Sequence, residues 1–250
     1  MSAADIARDI RILGGRIGRI LAPDSAQVLE HVSAQLEACQ ITSRRRPRKN
    51  EELPLWEFKI SSQRSLKFRP SWDEPKLQPD IFCRLIGPGE AGWPLQRQQF
   101  VLRVWSLNDR LSYRPEFNAD SIGNWLRAQG KPDRVLFRFH FDRADLGAKG
   151  TVFHFQVGGK PVEEERELCW FEGLPSLPRI PTPPLDLVLA CELVVANFFH
   201  DYFQELCRDH EWCALVRRAE QRTLRKYYEI CNTCVCYPSD YTLLKKLWNV

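Results

Sequence analysis

Apolar residues recur at Ile6, Ile10, Leu13, Ile17, Ile20 and Leu21 with Arg8, Arg11, Arg16 and Arg19 between them. That period predicts a first helix, although Gly14, Gly15 and Gly18 weaken it. After Pro23, Asp24 or Ser25 opens a second helix that runs through Val28, Leu29, Val32 and Leu36 to Cys39. Together they predict a helical hairpin within residues 1–43. The basic run from Ser43 to Lys49 interrupts every periodic pattern and reads as a solvated linker.

The period then changes to two. Trp56, Phe58 and Ile60 alternate with Glu57 and Lys59; after Ser61-Ser62-Gln63, Leu66 and Phe68 alternate with Lys67 and Arg69, a pattern that predicts a β-hairpin. Further strands are expected at Ile81 to Ile86, Gln99 to Trp105, Arg134 to Asp142 and Thr151 to Val157, with prolines punctuating the earlier loops. Alternation of this kind implies an antiparallel sheet of about five or six strands with one covered and one partly polar face. A short helix is expected over 119–129.

Beyond the prolines at 175 to 184, Leu185 to Leu206 is apolar on nearly all sides, as a central core helix would be. Ala214 to Ile230 predicts a second, much more basic helix, and Tyr241 to Trp248 a short terminal one. The fold class is therefore α+β, a single domain over 1–250. Its parts are the helical hairpin (1–43), a central, mostly antiparallel sheet (53–160), and C-terminal helices (184–250) packed on that sheet.

Composition narrows the classes. No stretch reaches the roughly 18 consecutive apolar residues of a membrane helix, and Asp5 falls where an apolar leader would begin, so neither membrane association nor conventional secretion is expected. Nine irregularly spaced cysteines read as reduced thiols, which makes the cytoplasm the expected compartment. The net charge is only +4, but the cations divide into 26 Arg and 10 Lys, and the planar guanidinium fork suits phosphate.

The most informative stretch is Val135 to Asp142, followed by Val152 to Val157. Phe137, Phe139 and Phe141 on the first strand, with Phe153 and Phe155 on the second, are expected to face a core. Arg138, His140 and Asp142 then share the opposite face with His154 and Gln156. Matching the aromatic faces suggests a register with His140 opposite His154 and Arg138 beside Gln156, the imidazoles about 5 Å apart at their β-carbons. One neutral and one protonated imidazole there could serve as base and acid in phosphodiester cleavage, with Arg138 stabilising the phosphate. His140, His154 and Asp142 could instead hold a divalent metal; solvated or structural histidines are the plainer reading.

Cys231, Cys234 and Cys236, with Cys207, His210 and Cys213, offer fragments of a zinc site, but the CxxC does not repeat and small packed thiols explain them more simply. Glu57-x-Lys59 and Pro79-Asp80 resemble fragments of the restriction-endonuclease-like nuclease motif in the wrong order, and alternating charge on a strand explains the first pair as well. The signatures of ATP-binding loops, dinucleotide folds, serine hydrolases and zincins are absent from the sequence, and no cofactor is named by it.

The expected function is nucleic-acid binding with possible nuclease activity. It would use one basic cluster at Arg44, Arg45, Arg46, Arg48 and Lys49, a second at Arg217, Arg218, Arg222, Arg225 and Lys226, and the histidine face. The alternative is a non-catalytic subunit whose Trp- and Pro-rich loops, with Trp72, Trp93 and Trp170, dock other proteins.

Overall fold

The computed structural model describes residues 2–43, 56–71, 77–87, 94–106, 134–143, 152–158 and 179–236. Helix α1 spans Ala3–Ile17, its N-terminus capped by Ser2, whose Oγ accepts from the Asp5 amide at 3.2 Å. Ile6, Ile10, Leu13 and Ile17 form its buried stripe. Gly14 and Gly15 do not end the helix, because tertiary packing outweighs their propensity; Gly14 abuts Leu29 of α2 (Ser25–Ser43). Ser33 Oγ on α2 donates to the Ala7 carbonyl, so the expected helical hairpin forms, α2 continuing past Cys39.

Six strands run between the helical ends: β1 (Trp56–Ile60), β2 (Leu66–Lys67), β3 (Leu77–Gly87), β4 (Arg97–Ser106), β5 (Arg134–Arg143) and β6 (Phe153–Val157). A two-residue β7 (Ile180–Pro181) completes an antiparallel sheet in the order β1-β3-β4-β5-β6-β7. β1 and β2 do not make the expected hairpin. Both pair with β3, Ile60 opposite Cys83 and Leu66 opposite Ile81, as two collinear pieces of one edge strand interrupted at 61–65. The alternation is in phase across the break, so both pieces bury their apolar side chains against the same layer.

Helix α3 (Leu187–Phe198) begins at Asp186, which accepts from the Leu189 amide at 3.0 Å. The expected continuous helix to Leu206 breaks at Phe199 (φ −138°, ψ 56°), where this buried ring packs against Phe68, and α4 (His200–Leu206) resumes. The basic helix is likewise two: α5 (His210–Thr223), capped by Asp209, and α6 (Arg225–Cys236). α1 and α3 cover one sheet face, where Ile6, Ile10, Leu187 and Val188 converge on Trp56, Phe58 and Leu85. α2 lies along the β1 edge: Gln35 Oε1 accepts from the Lys59 amide at 3.4 Å, shielding part of an edge that would otherwise template association.

The expectation of one open, polar face does not hold. Asp80, Phe82, Val101, Arg103, Arg138, His140 and His154 are all buried on the face opposite these helices. The expected core face opens to solvent instead at its far end, where Phe137 is 51% exposed and Phe139 and Phe141 are only partly covered. Among the described residues, no helix is long and apolar enough to cross a membrane. The basic run at 44–49, Trp72, Trp93, Trp170, the helix at 119–129 and the segment 241–248 lie outside the described residues.

Candidate active site

The buried polar face is built by strand alternation, which brings every second residue of β3, β4, β5 and β6 to one side. One row crosses the sheet as Asp80, Arg103 and Arg138; the next as Phe82, Val101, His140 and Gln156; the next as Arg84, Gln99, Asp142 and His154. The expected register of β5 and β6 is therefore corrected. His140 stands opposite Gln156, and His154 opposite Asp142. The two-residue shift preserves the face while moving the imidazoles from a direct to a diagonal pair, at about 7 to 8 Å. Gly158 rather than Gln156 neighbours Arg138. Its amide donates to the Arg138 carbonyl, its own carbonyl accepts from Arg138 Nη1 at 2.6 Å, and its φ of 76° suits glycine.

His140 Nδ1 lies 3.4 Å from Asp142 Oδ2. Its Nε2 is buried and, among the described residues, has no hydrogen-bond partner; the same holds for Asp142 Oδ1. A carboxylate at Nδ1 selects the tautomer that carries its proton there, which leaves Nε2 as a proton acceptor. A second imidazole on the same face, across from that carboxylate, supplies a donor or acceptor of its own. The set can move protons.

Sequence reasoning missed the strongest interaction on this face. Arg103 Nε donates to Asp80 Oδ1 at 2.9 Å, and Nη2 donates to Asp80 Oδ2 and to the Ser62 carbonyl. Trp105 Nε1 and Ser65 Oγ also donate to Asp80, and the guanidinium stacks over Phe82 and Trp105. The signal was available: a lone arginine among Val101, Leu102 and Val104 is costly to bury without a carboxylate.

The basic helix face reads differently in three dimensions. Arg218 donates from Nε and Nη2 to Asp9 Oδ1, and Arg222 pairs with Asp9 and Asp186. Burial works to lower the Arg222 pKa, but the Asp186 and Asp9 carboxylates outweigh it and hold the guanidinium above its ordinary value. At 12% side-chain exposure Arg222 is a core clamp, not a surface cation. Arg225 pairs with Glu229 one turn on, while Arg217 is exposed and Lys226 partly so.

Among the described residues, no three His, Cys, Asp or Glu side chains converge as a metal site would need. Cys213 Sγ donates to the Cys207 carbonyl at 3.3 Å, His210 is exposed, Cys231 is half-buried, and the Cys234 and Cys236 side chains are outside the described set. The nuclease-motif fragments do not meet either. Glu57 pairs with Arg84 while Asp80 is spent on Arg103. Comparison of the chain with known protein families, curated proteins and solved structures finds no match.

Proposed function

We propose that the protein processes nucleic acid, cleaving phosphodiesters by acid–base chemistry at the face formed by Arg138, His140, Asp142 and His154. The observation that carries this reading is the buried His140 Nε2, without a hydrogen-bond partner among the described residues, with a carboxylate at its Nδ1. Asp142 orients the ring; Nε2 takes the proton of the attacking ribose hydroxyl, or of water on DNA, as its oxygen bonds to phosphorus, and His154 protonates the oxygen whose bond to phosphorus breaks. Arg138, in the next row on the same face, offsets the negative charge on the phosphoryl oxygens. Both imidazoles are buried, so the reading requires transient opening of the face, which histidine-selective modification measures.

The test is cleavage of single-stranded RNA and DNA by the purified chain. His140→Ala and His154→Ala should each abolish turnover while retaining the wild-type circular dichroism spectrum. The wild type should give a bell-shaped pH profile insensitive to chelator, since imidazole acid and base act in opposite protonation states. Folded variants as active as wild type, or no cleavage of either polymer, would remove the reading; loss of activity in EDTA would replace it with a metal-dependent one.

A second reading, a subunit that docks other proteins, is favoured by one observation. Phe137, 51% exposed, stacks on Phe139, which stacks on Phe155, and Ile180 on β7 is 55% exposed. Exposed aromatics at a sheet end are what a protein interface would cover. Phe137→Ser should leave cleavage untouched and abolish co-purification of a partner if this second reading holds.

A further inference from the structure

The break in the edge strand creates a cleft that the proposed cleavage chemistry does not use. Where the chain leaves β1 at Ser61 and rejoins at Ser65, it opens a groove of about 1010 Å³ against α2. Gln27, His31 and Gln35 line one wall, at successive i, i+4 positions, and Lys59, Arg64 and Lys67 line the other. The groove is tied at both ends. Ser25 Oγ accepts from the Lys67 amide at 2.8 Å, and Gln35 Oε1 accepts from the Lys59 amide. Ser25 and Gln35 stand ten helical rises apart, about 15 Å.

Its strand wall is rigid for the same reason that the buried arginine is satisfied. Ser65 donates to Asp80 and the Ser62 carbonyl accepts from Arg103, so the loop that carries Arg64 is pinned to the sheet interior. Gln35 is also oriented. Because its oxygen accepts from Lys59, its amide nitrogen is the donor to His31 Nε2 at 2.8 Å, which leaves the proton of the neutral ring on Nδ1.

We infer that this groove binds the sugar–phosphate backbone of a single-stranded nucleic acid. Among the described lining residues Lys59, Arg64 and Lys67, all exposed, outnumber the acids, of which Asp24 is one. Lys59 stands opposite Arg84 and Lys67 opposite Asp80, four residues apart along β3, so these cations spread over about 13 Å. That spacing exceeds one phosphate and suits a chain of them. Among the described lining residues there is no Phe, Tyr or Trp, so contacts fall mainly on phosphate and sugar and carry little base preference. The inference rests on the nucleic-acid reading above but not on its chemistry, since binding here is measured without cleavage.

Fluorescence anisotropy with labelled single-stranded RNA and DNA, in homopolymer and mixed sequences, tests it. Wild-type protein should bind all of them at low salt with similar affinity, His140→Ala included. The triple variant Lys59→Gln, Arg64→Gln, Lys67→Gln should lose at least ~10-fold in affinity and about 2 in salt slope, at about 0.7 per phosphate contact on a single strand. Its thermal unfolding should match wild type, because the three side chains are exposed. Bound oligonucleotide should also protect Lys59 and Lys67 from amine acetylation. Unchanged affinity and slope in the triple variant would overturn the inference, as would failure of the wild type to bind any single strand. Binding confined to an acidic peptide such as polyglutamate would overturn it too, assigning the groove to a protein partner. Intact binding without cleavage would sink the proposed chemistry and leave the groove standing.

Discussion

Asp142 stands directly opposite His154 across the β5–β6 ladder and within 3.4 Å of His140 Nδ1 on its own strand, so one carboxylate neighbours both imidazoles. In the cleavage reading Asp142 is a positioning residue. Asp142→Asn keeps its size and removes its charge, and should lower kcat by at least ~10-fold with KM unchanged, because orientation matters to the transition state and not to binding. Wild-type kcat in this variant would show that His140 needs no negative charge at Nδ1.

Asp9 joins α1 to α5 by taking both Arg218 and Arg222 from its buried position. Asp9→Asn should destabilise the fold by about 3 kcal/mol, at the lower end for a broken buried pair because Asp186 still holds Arg222. Urea denaturation reads this as a lower midpoint at constant slope; a shift worth less than ~1 kcal/mol would mean that the clamp is redundant. Arg217→Gln, on the exposed side of the same helix, should change stability by no more than about 0.5 kcal/mol.

Gly87 closes β3 against the Trp56 indole. A β-carbon there would lie 2.5 Å from Trp56 Cζ2 and 2.9 Å from the Pro94 carbonyl oxygen, so something must move. Gly87→Ala should cost about 1 to 3 kcal/mol by overpacking and shift the Trp56 fluorescence. An unaltered melting temperature would place the indole elsewhere.

Glu192 on α3 gives stability a pH dependence. Burial, with Glu220 and Asp186 nearby, raises its carboxyl from 4.5 to about 7. The folded state therefore binds this proton more tightly than the unfolded state does. Its contribution to stability falls as pH rises from about 4.5 and is fully unfavourable above about 7. The side chain is only half-buried, so the penalty is at most ~1 to 2 kcal/mol after solvent screening. Glu192→Gln should raise the melting temperature at pH 8 and leave it near wild type at pH 5; an equal gain at both values would assign the effect to packing.

Period and polarity along the chain were enough for the α+β class, the helical hairpin, every strand from β1 to β6 and the sharing of one face by Arg138, His140, Asp142 and His154. These are local properties: a period of two sends alternate side chains to opposite sides whatever the partner strand does. The partner itself is not local. Aromatic faces match equally well in registers two residues apart, so the sequence could not choose between His140 opposite His154 and His140 opposite Gln156. Nor could it say that β1 and β2 share β3, since an edge strand broken at 61–65 has the same alternation as a hairpin.

Tertiary structure decided where each charge sits. Arg217 and Arg222 look alike in a basic helix, yet Arg222 meets Asp9, 213 residues distant, and leaves the surface while Arg217 stays on it. Lys59, Arg64 and Lys67 look like solvated strand and turn residues until the break in the edge strand sets them along one wall of a groove. Charge type is written in the sequence. Whether a charge faces a carboxylate, a cleft or water depends on long-range packing, because burial of the apolar faces brings distant segments together and the cations must be paired wherever that packing excludes water.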